Sequence, residues 1–210
     1  MLFRSKSASS ATVTVAQPSV AKALVTTSIV NASNSATQAV IGEKATYTVT
    51  MKIPQGRTPA ASLIDTMGPG MAFVRVVSAV NDDPGKLTVP GLTTAPVLTS
   101  NATIATWNLG DIVNTDTDSS TDETITFTIE TVILNVNTNT SGVNLVNQAQ
   151  AAWNSGANKS ATVSSGAVTV IEPKLQTLKS AVVGGFGGNV GDPVTYTITI
   201  QQAANSDTDA

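Results

Sequence analysis

Histidine and cysteine are both absent from this chain of 210 residues. Their absence excludes Ser-His-Asp and Cys-His catalysis, Cys/His zinc centres and disulfides. A β protein of this length without cysteine is held by its core alone or by some other staple. Aromatic residues are 4% and charged residues 12%, which leaves Thr, Val, Ala, Asn and Ser dominant. That is the composition of an extended, Thr-rich β protein rather than of a helical enzyme. Positive charge is scarce as well. A net charge of −3 and a pI near 4.8 argue against a nucleic-acid partner. With 41% hydrophobic residues and so little net charge, the chain is expected to fold rather than stay disordered. No apolar run is long enough to span a membrane. The N-terminal MLFRSKSASS lacks the hydrophobic segment of a signal peptide.

What is present is a set of alternating stretches with polar residues on the wrong face. Leu145-Val146-Asn147-Gln148-Ala149-Gln150-Ala151-Ala152-Trp153 reads as one strand whose inward face is Leu145, Asn147, Ala149, Ala151 and Trp153. An amide, Asn147, sits where an apolar residue belongs. Lys22 shares the parity of Val20 and Leu24, and Asp65 that of Leu63 and Met67. A Lys, an Asp and an Asn are therefore expected to point into one β core, where unpaired polar groups are costly.

The chain also repeats itself. Gln17-Pro18 and Glu172-Pro173 each follow a β-rich run, Thr12-Val13-Thr14-Val15 and Val168-Thr169-Val170-Ile171 respectively, with the two prolines 155 residues apart. Ile41-Gly42-Glu43-Lys44-Ala45-Thr46-Tyr47-Thr48-Val49-Thr50 matches Val190-Gly191-Asp192-Pro193-Val194-Thr195-Tyr196-Thr197-Ile198-Thr199 at a spacing of 149. The first copy thus carries six extra residues, assigned to the polar hairpin tip 31–35. The expected organisation is the tail of a preceding repeat (1–17), a complete repeat (18–172) and the truncated start of the next (173–210), a fragment cut at both ends.

Within the complete repeat, Tyr47, Val49, Met51 and Ile53 alternate with Thr46, Thr48, Thr50 and Lys52. Ile125, Phe127 and Ile129 do the same against Thr124, Thr126 and Thr128. Further strands are expected near 60–65, 71–80, 102–107 (ended by Asn108-Leu109-Gly110) and 161–171. About nine strands with turns between them, and no helical periodicity, predict an all-β fold, an immunoglobulin-like antiparallel β-sandwich.

Four stretches carry a family resemblance. They are Gly42–Thr50, Ile64–Val74, Trp107-Asn108-Leu109-Gly110-Asp111-Ile112 and Leu145–Ala149, in that order. Together they resemble the DUF11-like conserved repeat, which is related to the isopeptide-forming domains of fimbrial and adhesin proteins. The resemblance covers 18–172 and the visible part of the following copy. It implies tandem immunoglobulin-like modules in a long bacterial cell-surface or secreted protein, commonly a stalk or adhesin. Some relatives join a Lys on the first strand to an Asn on a late strand, helped by an acidic residue. In the following copy the corresponding lysine is Lys179, six residues after Pro173, whereas Lys22 lies four after Pro18. The shift of two keeps the parity but leaves the height of Lys22 relative to Asn147 open.

Three readings of Lys22, Asp65 and Asn147 follow. One is an autocatalytic isopeptide bond, in which a desolvated Lys22 attacks Asn147 while a protonated Asp65 shuttles protons. Another is a buried Lys22–Asp65 ion pair with Asn147 hydrogen-bonded to backbone. The third has Lys22 snorkelling at a sandwich edge. In the acidic loop 114–123, Asp116, Asp118 and Asp122 are candidate Ca²⁺ ligands. Ser119 and Ile125 stand where an EF-hand needs Gly and Glu, so a solvated hairpin tip is the expectation there. Gly184-Gly185-Phe186-Gly187-Gly188 precedes a strand, not a helix, and reads as a turn rather than a phosphate loop. Four sequons, at Asn31, Asn101, Asn139 and Asn158, carry little weight in so Asn- and Thr-rich a chain. Trp107 and Trp153 read as core packing. No cofactor and no enzymatic activity are expected. The partners expected are neighbouring repeats, in a stalk that spaces a binding tip from the cell surface. The alternative is a module whose loops bind a glycan or a host protein.

Overall fold

The computed structural model of the chain describes residues 15–92, 95–118, 121–184, 188, 190–204 and 206. In chain order the strands are β1 (Ser19–Thr27), β2 (Gln38–Ala39), β3 (Lys44–Ile53), β4 (Gly56–Thr66), β5 (Met71–Asn81), β6 (Leu87–Thr88), β7 (Val97–Thr99) and β8 (Ile104–Asn114). They continue with β9 (Glu123–Ile133), β10 (Asn144–Leu145), β11 (Gln148–Trp153), β12 (Asn158–Lys159), β13 (Val163–Ser164) and β14 (Val168–Val170). The last two are β15 (Leu175–Val183) and β16 (Val194–Gln202). The described residues contain no helix, and the fold is all-β.

One sheet has the order β1-β3-β9-β5. The facing sheet runs β12-β11-β4-β8-β6, with β13 also on β11 and β7 on β8. Strict alternation makes the centre of the first sheet. Tyr47, Val49, Met51 and Ile53 of β3, with Ile125, Phe127 and Ile129 of β9, are all fully buried, while the threonines between them face outward. The second sheet answers with Leu63, Trp107, Ala149 and Ala151, and all belong to one continuous core. Trp107 packs on Phe127 across the interface, with ring centroids 5.1 Å apart, and edge-on to Phe73 at 5.9 Å.

Four details differ from the strand expectations. The run 145–153 is not one strand. The inward parity holds, since Leu145, Asn147, Ala149, Ala151 and Trp153 are all buried. The ladder, however, breaks at Val146-Asn147, where the chain leaves the small sheet β10-β14-β2 and joins β11 of the large one. The stretch 161–171 likewise splits into β13 and β14. β8 does not stop at Asn108-Leu109-Gly110 but runs on to Asn114. Gly110 takes φ 77° at an irregularity opposite Ala61, so the turn-like glycine is an in-strand bulge. Finally, the pair β14–β2 is parallel, so the sandwich is not wholly antiparallel.

β15 and β16 form a separate two-stranded antiparallel sheet, and almost all its residues are exposed. Thr12-Val13-Thr14, and with it the tail 1–14, lies outside the described residues.

Candidate functional site

Lys22 pairs with Val49 in the β1–β3 ladder, so its side chain shares the inward face of β3. β1 is an edge strand, and Lys22 as a residue is half-buried, yet its side chain is fully buried. The exposed part is therefore edge backbone, and the amine is inside. Asp65 stands on β4 opposite Ala149 of β11, so Asn147, two residues earlier, is its diagonal neighbour on the same inward face. Lys22 comes from one sheet, Asp65 from the facing sheet, and Asn147 from the break just before β11 of that facing sheet. β1 and β11 approach each other, which brings the three together.

The Lys22 amine donates to Asp65 Oδ2, and both side chains have no exposure. Burial pushes the Lys22 amine down from its ordinary range and the Asp65 carboxyl up. Their mutual attraction opposes both shifts and reverses neither. The Lys22 ammonium position lies 5.2 Å from the centre of the Tyr47 ring. Burial, with the Asp65 charge behind it, pushes the Tyr47 phenol up, so it stays protonated. Its hydroxyl donates to Met71 Sδ at 3.6 Å.

Buried polar groups are usually satisfied; among the described residues Asn34, Asp65, Trp107 and Asn139 each leave one such atom unpaired, and Asn147 leaves both. It has no exposure, and it lies close enough to Asp65 to favour the charged carboxylate. Neither its Oδ1 nor its Nδ2 makes a hydrogen bond of normal geometry, and Asp65 Oδ1 is also unpaired. Asn34 and Asn139 leave only a carbonyl oxygen unpaired. The Asn34 Nδ2 donates to Glu43, and that of Asn139 to the carbonyls of Gly70 and Leu134. The alternative in which backbone groups satisfy the Asn147 amide is not what this site presents. Nor does Lys22 snorkel to the edge.

The remaining candidates are elsewhere. Asp116 is only 7% exposed, so the acidic loop is not a simple solvated tip. Asp116 Oδ1 accepts from Lys86 Nζ at 2.9 Å and from the amides of Thr117 and Asp118. A hydrogen bond with Glu123, and then the one from Lys86, hold its carboxyl well below the usual carboxylate range. Asp122 pairs with Lys52 at 3.2 Å on the surface. Among the described residues no group of three or more such side chains is arranged to hold a metal ion. The polar tip 31–35 is tied inward by buried Glu43, which accepts from the amides of Ile29 and Val40 and from Asn34 Nδ2. Asn139 is buried, so its sequon is closed in the folded chain. Lys179 on β15 is exposed, with Nζ 4.6 Å from the Tyr196 ring centre. The glycine run 184–188 lies largely outside the described residues.

No family model and no curated protein matches the chain. Among solved structures it is similar to the full-length major pilin SpaD from Corynebacterium diphtheriae, with 16% identity and a TM-score of 0.43, covering 85% of this chain and 39% of that one. It is also similar to BcpA, the major pilin subunit of Bacillus cereus, with 11% identity and a TM-score of 0.44, covering 89% of this chain and 55% of that one. A 35 kDa C-terminal fragment of the major pilin GBS80 of Streptococcus agalactiae has 9% identity and a TM-score of 0.40, covering 92% of this chain and 82% of that one. The chain spans less than two thirds of the first two.

Proposed function

We propose that residues 18–172 are a structural module of a long bacterial cell-surface or secreted repeat protein, a stalk or adhesin unit stapled by an isopeptide bond between Lys22 and Asn147. One observation carries the reading. A fully buried amide with neither polar atom hydrogen-bonded lies against a fully buried Lys–Asp pair. An unsatisfied buried polar group costs about 1–3 kcal/mol. A fold with no use for the amide would be better served by Leu or Met at position 147.

The chemistry follows from the burial. Desolvation favours the neutral amine and the neutral acid, so the proton of the Lys22 ammonium passes to Asp65. The Lys22 Nζ lone pair then attacks Cγ of Asn147. Asp65 lends its proton to the amide oxygen as charge develops there. It next takes a proton from Nζ and delivers one to Nδ2. The new Nζ–Cγ bond forms, the Cγ–Nδ2 bond breaks and ammonia leaves, with no oxidant or cofactor required. The bond would join the two sheets across the core, the task a disulfide does in a chain that has cysteine.

The tandem part of the reading is supported by register. Lys22 pairs with Val49 and Lys179 with Ile198, and Val49 and Ile198 are the same position of the repeat. The two lysines therefore stand at equal height despite their different distances from the preceding proline. The surface location rests on the resemblance to DUF11-like repeats.

The deciding measurement is the intact mass of the folded chain, with the linkage located by digestion. The expected result is a mass lower than the sequence by one ammonia, and a branched tryptic peptide joining the Lys22 and Asn147 segments. An unmodified mass leaves a buried ion pair and removes the cross-link.

A further inference from the structure

No hydrogen bond of normal geometry orients the Asn147 side chain, although it lies close to Asp65, yet a reacting carbonyl must be held in place. Its orientation has to come from the backbone, and here the ladders do not supply it. β10 pairing ends at Leu145, opposite Val168, and β11 pairing begins at Gln148, opposite Thr66 and Ser164. Val146 and Asn147 fall in the gap where the chain changes sheets.

Ser165 fills that gap from one side. Its backbone N–H donates to Asn147 O at 2.8 Å. Its Oγ accepts from the Asn147 N–H at 3.2 Å. The same hydroxyl donates its single proton to Gly166 O at 2.8 Å, so an oxygen lone pair is left facing Asn147. Ser165 is 9% exposed, little open to competing water. Gly68 closes the other side. A Cβ there would lie 2.5 Å from Val146 O and 3.3 Å from Val146 N, so only glycine lets the two backbones approach this closely.

We infer that Ser165 is a positioning residue for the cross-link, a side chain that fixes the Asn147 backbone so that its unpartnered amide presents Cγ to Lys22, with Gly68 as the opposing wall. The inference rests on the cross-link reading above. The Ser165 hydrogen bonds go to the backbones of Asn147 and Gly166, not to either reacting atom. The Ser165 backbone N–H and hydroxyl together supply two hydrogen bonds to the Asn147 backbone where the ladders break, and the one to the hydroxyl depends on the side chain.

The test is the rate of ammonia loss. The full chain is made in a cell-free reaction, quenched in acid at intervals and weighed, with circular dichroism reporting folding. Misplacing a reacting group by about 1 Å costs about a hundredfold in rate, so Ser165→Ala should slow the reaction at least about tenfold in folded protein. Ser165→Cys keeps the size with a poor acceptor and should be slowed similarly. It decides the matter if Ser165→Ala does not fold. Ser165→Thr restores an oxygen acceptor and should recover the rate to within about threefold. A wild-type rate in Ser165→Cys overturns the inference, as does equal slowing in Ser165→Cys and Ser165→Thr, which would mean packing alone. A wild-type chain that never loses ammonia overturns the cross-link itself, which is a different outcome from a wild-type chain that reacts and variants that keep pace with it.

Discussion

Lys22 on β1–β3 and Lys179 on β15–β16 hold matching registers, opposite Val49 and Ile198, and their surroundings are opposite. In β1–β3, Tyr47 and Val49 beside Lys22 have no exposure. In β15–β16, the matching Tyr196 and Ile198 are 60% and 63% exposed. Each lysine lies near the ring of its own tyrosine, at 5.2 and 4.6 Å. Among the described residues no second sheet faces β15–β16. The strand pair sets where the amine points, and the burial, the Asp65 carboxylate of β4 and the Asn147 amide beside β11 are what the proposed cross-link requires. Under the proposed cross-link, a lysine in this register becomes a nucleophile only when a facing sheet closes over it.

The largest expected effect comes from taking the carboxylate away. Asp65→Ala should leave the chain at full mass, because no group remains to carry the proton between Nζ and Nδ2. It also leaves a buried amine without its partner. Leaving a buried polar group unsatisfied costs about 1–3 kcal/mol, so chemical denaturation should show Asp65→Ala less stable than Asn147→Ala by about that amount. Ammonia loss in Asp65→Ala would remove the shuttle role. Equal stability of the two variants would mean that the pair adds nothing beyond the cross-link.

Asn147→Ala should also keep its full mass, but it retains the Lys22–Asp65 pair. The loss is then that of a covalent tie. Taking the disulfide scale as the guide, that is about 2–4 kcal/mol, or about 4–16 °C in melting temperature for a chain of this size. An unchanged melting temperature would indicate that the wild-type chain carries no staple.

How much of this could be read from the chain alone depended on periodicity. The inward faces of β3 and β9 were legible because Thr and an apolar residue alternate without interruption, as in Tyr47–Ile53 and Thr124–Ile129. The same parity put Lys22, Asp65 and Asn147 on inward faces. The break at Val146-Asn147 was not legible, because alternation continues through it while the hydrogen-bond partners change. Ser165 carried no signal. It lies in Ser164-Ser165-Gly166, one polar stretch among many, and its role depends on a backbone gap 18 residues earlier. Gly110 read as a turn because a glycine with positive φ serves a bulge and a turn alike. The burial of Asp116 was hidden for a similar reason, since a run of acidic residues looks solvated until Lys86 is folded against it.

A smaller effect is expected from the outer face of the first sheet. Glu130 is held by Arg75, whose Nε and Nη2 lie 2.8 and 3.0 Å from its oxygens, and by Lys44 at 3.4 Å. The Arg75 hydrogen bonds pull its carboxyl from 4.5 to about 2. A depressed acid stabilises the fold above its unfolded value, and that contribution is lost as pH falls through the folded one. The wild type should therefore lose this increment between about pH 4.5 and about pH 2, and Glu130→Gln should lack it throughout. Because Arg75 is mostly exposed, the increment is about 1 kcal/mol or less. Asp65 has the opposite sign: its raised value makes stability fall as pH rises from the ordinary carboxylate range towards its folded value. An acid limb in Glu130→Gln as steep as in the wild type would take the increment away from this triad.

The smallest effect, and the sharpest use of the comparison, is at Lys179. If a facing sheet is what makes the amine react, Lys179 of this 210-residue chain, with no sheet over it among the described residues, should stay unreacted. The chain should lose one ammonia and not two, and every branched peptide should contain Lys22. Lys179→Ala should keep the single loss. It should also keep the wild-type stability to within about 0.5 kcal/mol, as exposed substitutions usually do. Lys22→Ala, in contrast, should abolish the loss, even though Lys179 remains available in the same register. A second ammonia lost in the wild type, and missing in Lys179→Ala, would break the comparison. It would mean that the strand pair alone, with Tyr196 beside the amine, suffices to make the lysine a nucleophile, and that the buried Asp65 is not what distinguishes Lys22.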